Sequence, residues 1–402
     1  MVGQHLAERI HHALRRCAWL YSINARVRAL TVRAKYRSLC RRYSSGCVLD
    51  KTQLALWGER YRSSKKTVIS ARKNRRFIYI STSLDQDNAG LLDGLRSHGE
   101  VVLFAGPNGR NCLEMPRRQS DYERCRDANG MALMTQMSRG FTSRKPTAVV
   151  GQMWNFCMPA NILGNIRMQG VPVVNIAMDD RHSFHKVSLK DGSDGGVAGF
   201  VGSISLALTA APECVAWYNH HGVPALFWPE ASSPQHFKPM NVEKKYDITF
   251  VGANYGYRSE VVAALAASGI KVETRGSGWP QGRIATEDIP RLFAESKIVL
   301  GIGGILHCTD FTALKMRDFD APMSGSFYIA QSNPDLSACF DLGRELVTWS
   351  SLPDLVSKCR FYLENESERE KIAKLARVRS MRDHTWGIRF GEMITALENL
   401  KP

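Results

Sequence analysis

The ten cysteines of this 402-residue chain form no C-x-x-C pair, and no His/Cys cluster falls at metal-ligand spacing. That pattern excludes a zinc ribbon and a dithiol redox centre, and it leaves the thiols as small buried hydrophobes of a reducing compartment. No disulfide framework is expected. Long apolar runs are lacking too. Residues 1–20 carry Arg9, Arg15 and Arg16 where a secretory leader needs an unbroken apolar core, so no leader is expected. Two uncharged stretches, 146–166 and 195–212, approach spanning length, but Gln152, Asn155, Pro159, Asn161 and their glycines and serines fit buried strand-turn-helix units instead. No spanning helix is expected. Repeats and low-complexity tracts are absent, which excludes solenoid and fibrous architectures.

Acidic residues are scarce in one place only. Residues 1–76 hold nineteen Lys/Arg against three Asp/Glu, a net of +16, which is the net charge of the whole chain; thirty-five of each sign remain in 77–402. The charge belongs to an appendage. Leu6, Ile10, Leu14, Cys17 and Tyr21 step by three and four along a basic amphipathic helix, and a second helical stretch over 30–43 adds Arg33, Lys35, Arg37, Arg41 and Arg42. Lys65, Lys66 and a basic run from Arg72 to Arg76 follow. Three partners fit this pattern: an anionic membrane surface, at roughly 1 kcal/mol per basic residue near it; the protein's own body; or, less well, nucleic acid, for which no reading motif is present.

The remainder is long enough for two full cores. Short runs rich in Val, Ile, Phe and Thr at 77–81, 101–104, 148–151, 171–176, 205–209 and 225–228 alternate with helical patterns at 88–97, 121–137, 160–167 and 211–221. A second series at 247–251, 271–274, 298–302, 327–330 and 345–348 follows, with Ser351 capping a helix through 363 and Ser367 opening a capping box with Glu370. Such alternation predicts α/β architecture with parallel sheets. The proline-rich loop 229–239 reads as a hinge. The expected division is a basic helical extension, 1–76; a Rossmann-like domain, 77–230; a hinge, 231–243; a second Rossmann-like domain, 244–385; and a terminal helix, 386–402.

Several motifs of the second half, in their order and spacing, resemble the CgeB-like glycosyltransferases, named after a spore-maturation protein and related to the large retaining GT-B families. They are Tyr246-Asp-Ile-Thr-Phe-Val-Gly252, Arg275-Gly-Ser-Gly-Trp-Pro280, Lys315-Met-Arg-Asp-Phe-Asp-Ala-Pro-Met-Ser-Gly325, Asn333-Pro-Asp-Leu336 and His384-Thr-Trp-Gly-Ile-Arg-Phe390. The resemblance implies a GT-B fold, with two Rossmann-like domains facing across a cleft and the terminal helix returning to the first. It also implies a metal-independent transferase, hexosyltransferase-like, with a nucleotide-diphosphate sugar as substrate and no cofactor.

Departure of a diphosphate needs backbone amides and cations around the growing charge. Gly252, Asn254 and Gly256 follow a strand and open a helix whose first turn holds Arg258, so their amides and that guanidinium are donor-site candidates. Lys315 and Arg317 are candidates for the diphosphate. Asp320 stands where the family shows Glu toward the ribose, one methylene shorter, and Gly325 keeps the following turn small. Thr312 stands where the larger families place a second glutamate. Trp279 is placed either to stack on a nucleobase or to pack as an ordinary aromatic. On the acceptor side, Asp179 and Asp180 resemble the family's Asp-Asp element and, with Glu230, are the candidates for catalytic carboxylates; no metal site is read into them. Ser83, Asp85, Asp87 and Asn88 are candidates for acceptor hydroxyls, or simply a helix-capping loop.

The reading is a glycosyltransferase that moves sugar from a nucleotide donor to an envelope, capsule or spore-surface glycoconjugate at the cytoplasmic face of a membrane. Its rivals are a GT-B-shaped surface or maturation protein without turnover, and a glycosyltransferase of nucleic acid.

Overall fold

The computed structural model describes residues 18–43, 75–140 and 145–399. The first expected helix of the extension and most of the basic segment before Arg75 lie outside these residues, and so does part of the loop after residue 140. The first domain has a six-stranded parallel sheet: β1 (Arg76–Ile80), β2 (Glu100–Leu103), β3 (Ala148–Gly151), β4 (Val173–Ala177), β5 (Leu206–Thr209) and β6 (Ala225–Phe227). Their order is β2-β1-β3-β4-β5-β6. Five parallel strands form the second: β7 (Tyr246–Val251), β8 (Val272–Arg275), β9 (Ser296–Leu300), β10 (Tyr328–Gln331) and β11 (Val347–Trp349), ordered β11-β10-β9-β7-β8. Phe77, Ile78, Tyr79 and Ile80 are buried on both faces of β1, as are Val173, Val174 and Ile176 of β4. Strands with no solvated face need helices on both sides, and the βαβ crossovers supply them. Each sheet reverses direction once, between β1 and β3 and between β7 and β9, and these are the switch points where ligands of open α/β sheets bind.

The helices are α1 (Ala18–Tyr43), α2 (Leu91–Arg96), α3 (Tyr122–Gly140), α4 (Ala160–Met168), α5 (Cys214–His220), α6 (Arg258–Ala267), α7 (Ile289–Ala294), α8 (Arg317–Met323), α9 (Leu352–Glu364), α10 (Glu366–Asp383) and α11 (Trp386–Asn399). Strand bounds fall within two residues of the sequence pattern. Helix bounds differ more: the helix expected over 211–221 runs over Cys214–His220, and the one expected over 121–137 runs over Tyr122–Gly140. The helix expected over 88–97 is broken at Gly90, at φ +120°, where a Cβ would lie 2.1 Å from that of Ser233. The expected capping box at Ser367 does not form, because α10 begins at Glu366 behind Asn365. Asn365 Nδ2 donates to the Phe361 carbonyl at 2.7 Å, and Arg369 caps the carbonyls of Tyr362 and Leu363, so α9 and α10 are joined without room for a further cap. Ser351 does cap α9, its hydroxyl accepting from the Asp354 amide at 3.3 Å.

Three elements tie the lobes. Helix α11 crosses back to the first domain, where Trp386, Phe390, Met393 and Ile394 share a core with Phe77, Tyr79, Leu91 and Leu95. Fully buried Arg389 fixes the crossing: its Nε donates to the Pro229 carbonyl at 2.8 Å, and Trp228 Nε1 donates to the Arg389 carbonyl at 2.8 Å. The second tie is α1, which is continuous from Ala18 through the stretch expected over 30–43. Tyr36, Leu39 and Tyr43 pack on the first domain, while Ala29, Val32 and Tyr36 pack on Ile305, Cys308 and Phe311 of the second. Arg33 pairs with Asp310, and Lys35 Nζ donates to the His185 carbonyl at 2.6 Å. Over 18–43 the extension is therefore part of the body. Among the described residues, no helix is long and apolar enough to cross a membrane.

The third tie is the hinge. Ser232 Oγ donates to Asp320 Oδ1 at 2.6 Å, and the Ser232 and Trp386 amides donate to the carbonyls of His384 and Ser232. Burial raises the carboxyl of Asp320 to about 8, against the pull of Ser232 and Arg317, and raises the nearby carboxyl of Glu230 to about 7. Both bind a proton more tightly folded than unfolded, where carboxyls titrate near about 4. Their stabilising protonation is complete below that value and is lost as pH rises through about 7 and 8. The melting temperature should therefore fall between about pH 5 and pH 9, and Glu230→Gln and Asp320→Asn should each flatten that fall. Thermal scans across the range check this; slopes unchanged in both variants would contradict it.

Candidate active site

The cleft floor is built where β7 ends. After Val251 the chain turns through Gly252 at φ +155°, and a Cβ there would lie 2.7 Å from Nη1 of Arg317 and 3.3 Å from Nη1 of Arg258. Only glycine lets the two guanidiniums converge at this loop. Backbone carbonyls orient both: Arg317 donates to Val251 at 2.6 Å and Ile302 at 3.1 Å, and Arg258 donates to Ala253 at 2.8 Å. Phe250 lies beneath both, its ring centre 4.7 Å from the Arg317 guanidinium carbon and 5.4 Å from that of Arg258. Tyr255 covers Arg258 at 4.0 Å and accepts from its Nη2.

Neither arginine forms an ion pair with a carboxylate among the described residues, and neither Nε has a partner there. Burial, and then the charge of Arg317, lower the pKa of Arg258 to about 10. Two like charges are thus held together against repulsion, at the switch point between β7 and β9 and beside the first turn of α6. Paired cations with a helix N-terminus and no acidic partner suit a polyanion such as a diphosphate. Sequence reading marks both arginines but not their convergence. Spacing cannot show it, because they come from the helices after two different strands.

The remaining donor-side residues brace this loop. The Asn254 amide donates to the Ser277 carbonyl at 2.7 Å, and Gly256 turns at φ +64° against the Leu306 carbonyl. Trp279 is packed: its Nε1 donates to the Gly252 carbonyl at 2.8 Å, and its ring meets Phe250 edge-on at 6.1 Å. Gly325, at φ +73°, packs against Pro239. Asp320 faces the hinge rather than the loop, its carboxylate occupied by Ser232. Asp318 accepts from the Lys315 amide at 2.7 Å and from the Tyr328 hydroxyl at 2.5 Å, which fixes the start of α8.

Lys315 reaches across the cleft, its Nζ 3.6 Å from Asp179 Oδ1. Burial works against the Asp179 charge, but Lys315, then His182 and Lys186, hold its carboxyl below the usual range. Asp180 does not share this place. It turns into the core of the first domain and accepts from Tyr218 at 2.7 Å, with burial raising its carboxyl to about 7. Glu230 lies among Lys315, Asp318 and Asp179, and its Oε2 is buried without a partner among the described residues. On the opposite rim, Ser83, Asp85 and Asn88 are exposed, whereas Asp87 is buried, accepts from Ser81 at 2.5 Å and is raised to about 6 by burial. Gln86 of the same turn contacts Met316 Sδ at 2.7 Å, so this rim touches the start of α8.

Phe250 and Lys186 are not singled out by the sequence reading, and His182 enters it only as the end of Asp179-Asp180-Arg181-His182, without a role. His182 is half-buried with its Nδ1 unpartnered among the described residues, and burial lowers its pKa. Its position two residues after Asp180, in the same turn, is the signal that could have drawn attention to it.

Residues 258–395 match the family described as glycosyl transferase-like. No curated protein matches the sequence. Among solved structures, sucrose-phosphate synthase from Thermosynechococcus elongatus is similar with a TM-score of 0.58 at 12% identity, over 82% of this chain and 100% of that one. HepE of Anabaena, solved with UDP and glucose, superposes with a TM-score of 0.55 at 10% identity, over 81% of this chain and 100% of its own. The trehalose 6-phosphate synthase of Burkholderia multivorans gives 0.51 at 10%, covering 81% and 99%. Identities this low speak to architecture. The chain has the GT-B fold, with a glycosyl transferase-like second domain.

Proposed function

We propose that the protein is a glycosyltransferase that takes its sugar from a nucleoside-diphosphate donor. The observation that carries this reading is the convergence of Arg258 and Arg317 over Phe250, at a switch point and a helix N-terminus, without an acidic partner among the described residues. The glycosyl transferase-like family match over the same domain supports it, and so does the bound UDP of a structural neighbour.

In this reading the diphosphate lies against the Gly252–Gly256 amides and the two guanidiniums, and Lys315 turns from Asp179 toward it. The bond from the anomeric carbon to phosphate breaks, and the charge left on the phosphate is met by cations already in place, so little reorganisation is needed in the transition state. The acceptor hydroxyl bonds to the anomeric carbon, and its proton passes to the departing phosphate. Asp179 and His182 face the acceptor side, and Glu230 faces the sugar between the lobes. No metal or cofactor takes part. The motifs of the second half support placement with the CgeB-like branch. A glycoconjugate acceptor of an envelope, capsule or spore surface completes the proposal.

One observation favours a second reading, a GT-B-shaped protein without turnover: Asp320 is bonded to the hinge instead of standing open toward a ribose. Donor hydrolysis measured across a panel of nucleotide sugars separates the two.

Alanine at Arg258 or Arg317 should weaken nucleoside-diphosphate binding at least tenfold, because charge-assisted bonds to a partly buried phosphate are worth roughly 1.5–3 kcal/mol each. Calorimetry with a set of nucleoside diphosphates checks this, and affinity unchanged in both variants removes the arginines from the donor site. Chelation offers an independent check. Transfer should persist in EDTA; activity lost on chelation and restored by manganese would replace this mechanism with a metal-assisted one.

A further inference from the structure

We propose that the outer face of α1 is a docking surface for an anionic lipid bilayer. The inner face of this helix is spent on the two lobes. Its outer face carries Ile23, Val27 and Leu30, which are 41%, 55% and 63% exposed. Steps of four and three put these side chains in one ridge over two turns. Arg26, Arg37 and Arg41 stand exposed around and beyond it, and none is paired with a carboxylate among the described residues.

Charge and apolarity together select the occupant. A phosphate-rich polymer would satisfy the arginines but leave the apolar ridge facing water or phosphate. At the boundary between headgroups and acyl chains, the ridge enters the apolar layer while the arginines reach the anionic headgroups. Residues 77–402 carry no net charge, so the excess of basic residues lies in the segment to which α1 belongs. Because α1 is fixed to both lobes through Arg33–Asp310 and the Tyr36–Glu213 hydrogen bond, docking this face would hold the whole molecule at one attitude to the membrane. The proposal concerns where the protein works, and it does not depend on the donor site.

The test uses the full chain and point variants, because deleting α1 would uncover core residues of both lobes. Ile23→Ser/Val27→Ser/Leu30→Ser and Arg26→Gln/Arg37→Gln/Arg41→Gln alter exposed positions and should leave the melting temperature unchanged. Wild-type protein should sediment with phosphatidylcholine vesicles containing phosphatidylglycerol but not with phosphatidylcholine alone, and less so as salt rises. Each triple variant should lose about tenfold or more of that binding. The apolar variant should leave any binding to duplex DNA at the same salt unchanged. Vesicle binding undiminished in the apolar variant overturns the proposal. So does a shift of that variant from dimer to monomer on gel filtration, which would give the ridge to a second copy. Binding of wild-type protein to DNA but not to anionic vesicles would assign the arginines to nucleic acid and overturn it as well.

Discussion

The arrangement of the lobes rests on one buried guanidinium. Arg181 comes from the turn after β4, and its Nε and Nη2 grip the Glu213 carboxylate of the first domain at 2.6 and 2.7 Å. Its Nη1 reaches the second domain, donating to the Thr312 carbonyl at 2.5 Å and lying 2.9 Å from Asp335. Tyr36 of α1 donates to the same Glu213 at 3.0 Å. Burial works against the Glu213 charge, yet Arg181 holds its carboxyl below the usual range. Such a cluster gives little net stability over an apolar equivalent, but removing one member strands a buried charge at about 3–5 kcal/mol. Its effect is to specify geometry: both lobes and the arm must meet where the charges match. Thr312, the residue standing in the place of a second family glutamate, serves here through its backbone.

The same economy of charge runs the opposite way a few strands along. Around Arg181 two carboxylates satisfy one cation. Around Gly252, two cations converge on carbonyls, the Tyr255 hydroxyl and aromatic faces, with no carboxylate paired to either among the described residues. Carbonyl dipoles and the Phe250 quadrupole offset part of the repulsion without neutralising it. In the proposed donor site that positive potential is left for a ligand, and burial, then the charge of Arg317, lower the pKa of Arg258 to about 10. On the proposed function, the structural ion pairs and the donor site differ in who supplies the counter-charge.

Much of this was legible in the sequence because it is local. Runs such as Phe77-Ile-Tyr-Ile80 declare buried strands, and the glycines after β7 declare a turn with exposed amides. What escaped is non-local or two-sided. Arg258 and Arg317 meet only because β7 and β9 are neighbours across the switch point, and no spacing rule encodes that. Helix α1 carries apolar residues on opposite faces, Ala29 and Leu39 inward, Ile23 and Val27 outward, so periodicity alone did not say which face the body takes. Asp320 was read by its place in a motif. In the structure its carboxyl is held by Ser232 of the hinge, a partner distant in sequence.

Helix α8 joins these themes. Within seven residues it presents Arg317 to the Gly252 loop, Asp318 to Tyr328 and to its own first turn, and Asp320 to Ser232 of the hinge. Successive side chains of a helix point about 100° apart, so a short helix can serve three directions while remaining one rigid piece. A force on Arg317 is carried by the backbone to Asp320 and so to the crossing of the lobes. Gln86 and Asp179 of the first domain meet the residues just before this helix, Met316 and Lys315, from across the cleft. The donor loop, the hinge and the opposite rim are therefore in mechanical contact through a single element. In a fold whose two halves share no continuous sheet, this one helix touches the Gly252 loop and the hinge, and the residues just before it touch the opposite rim.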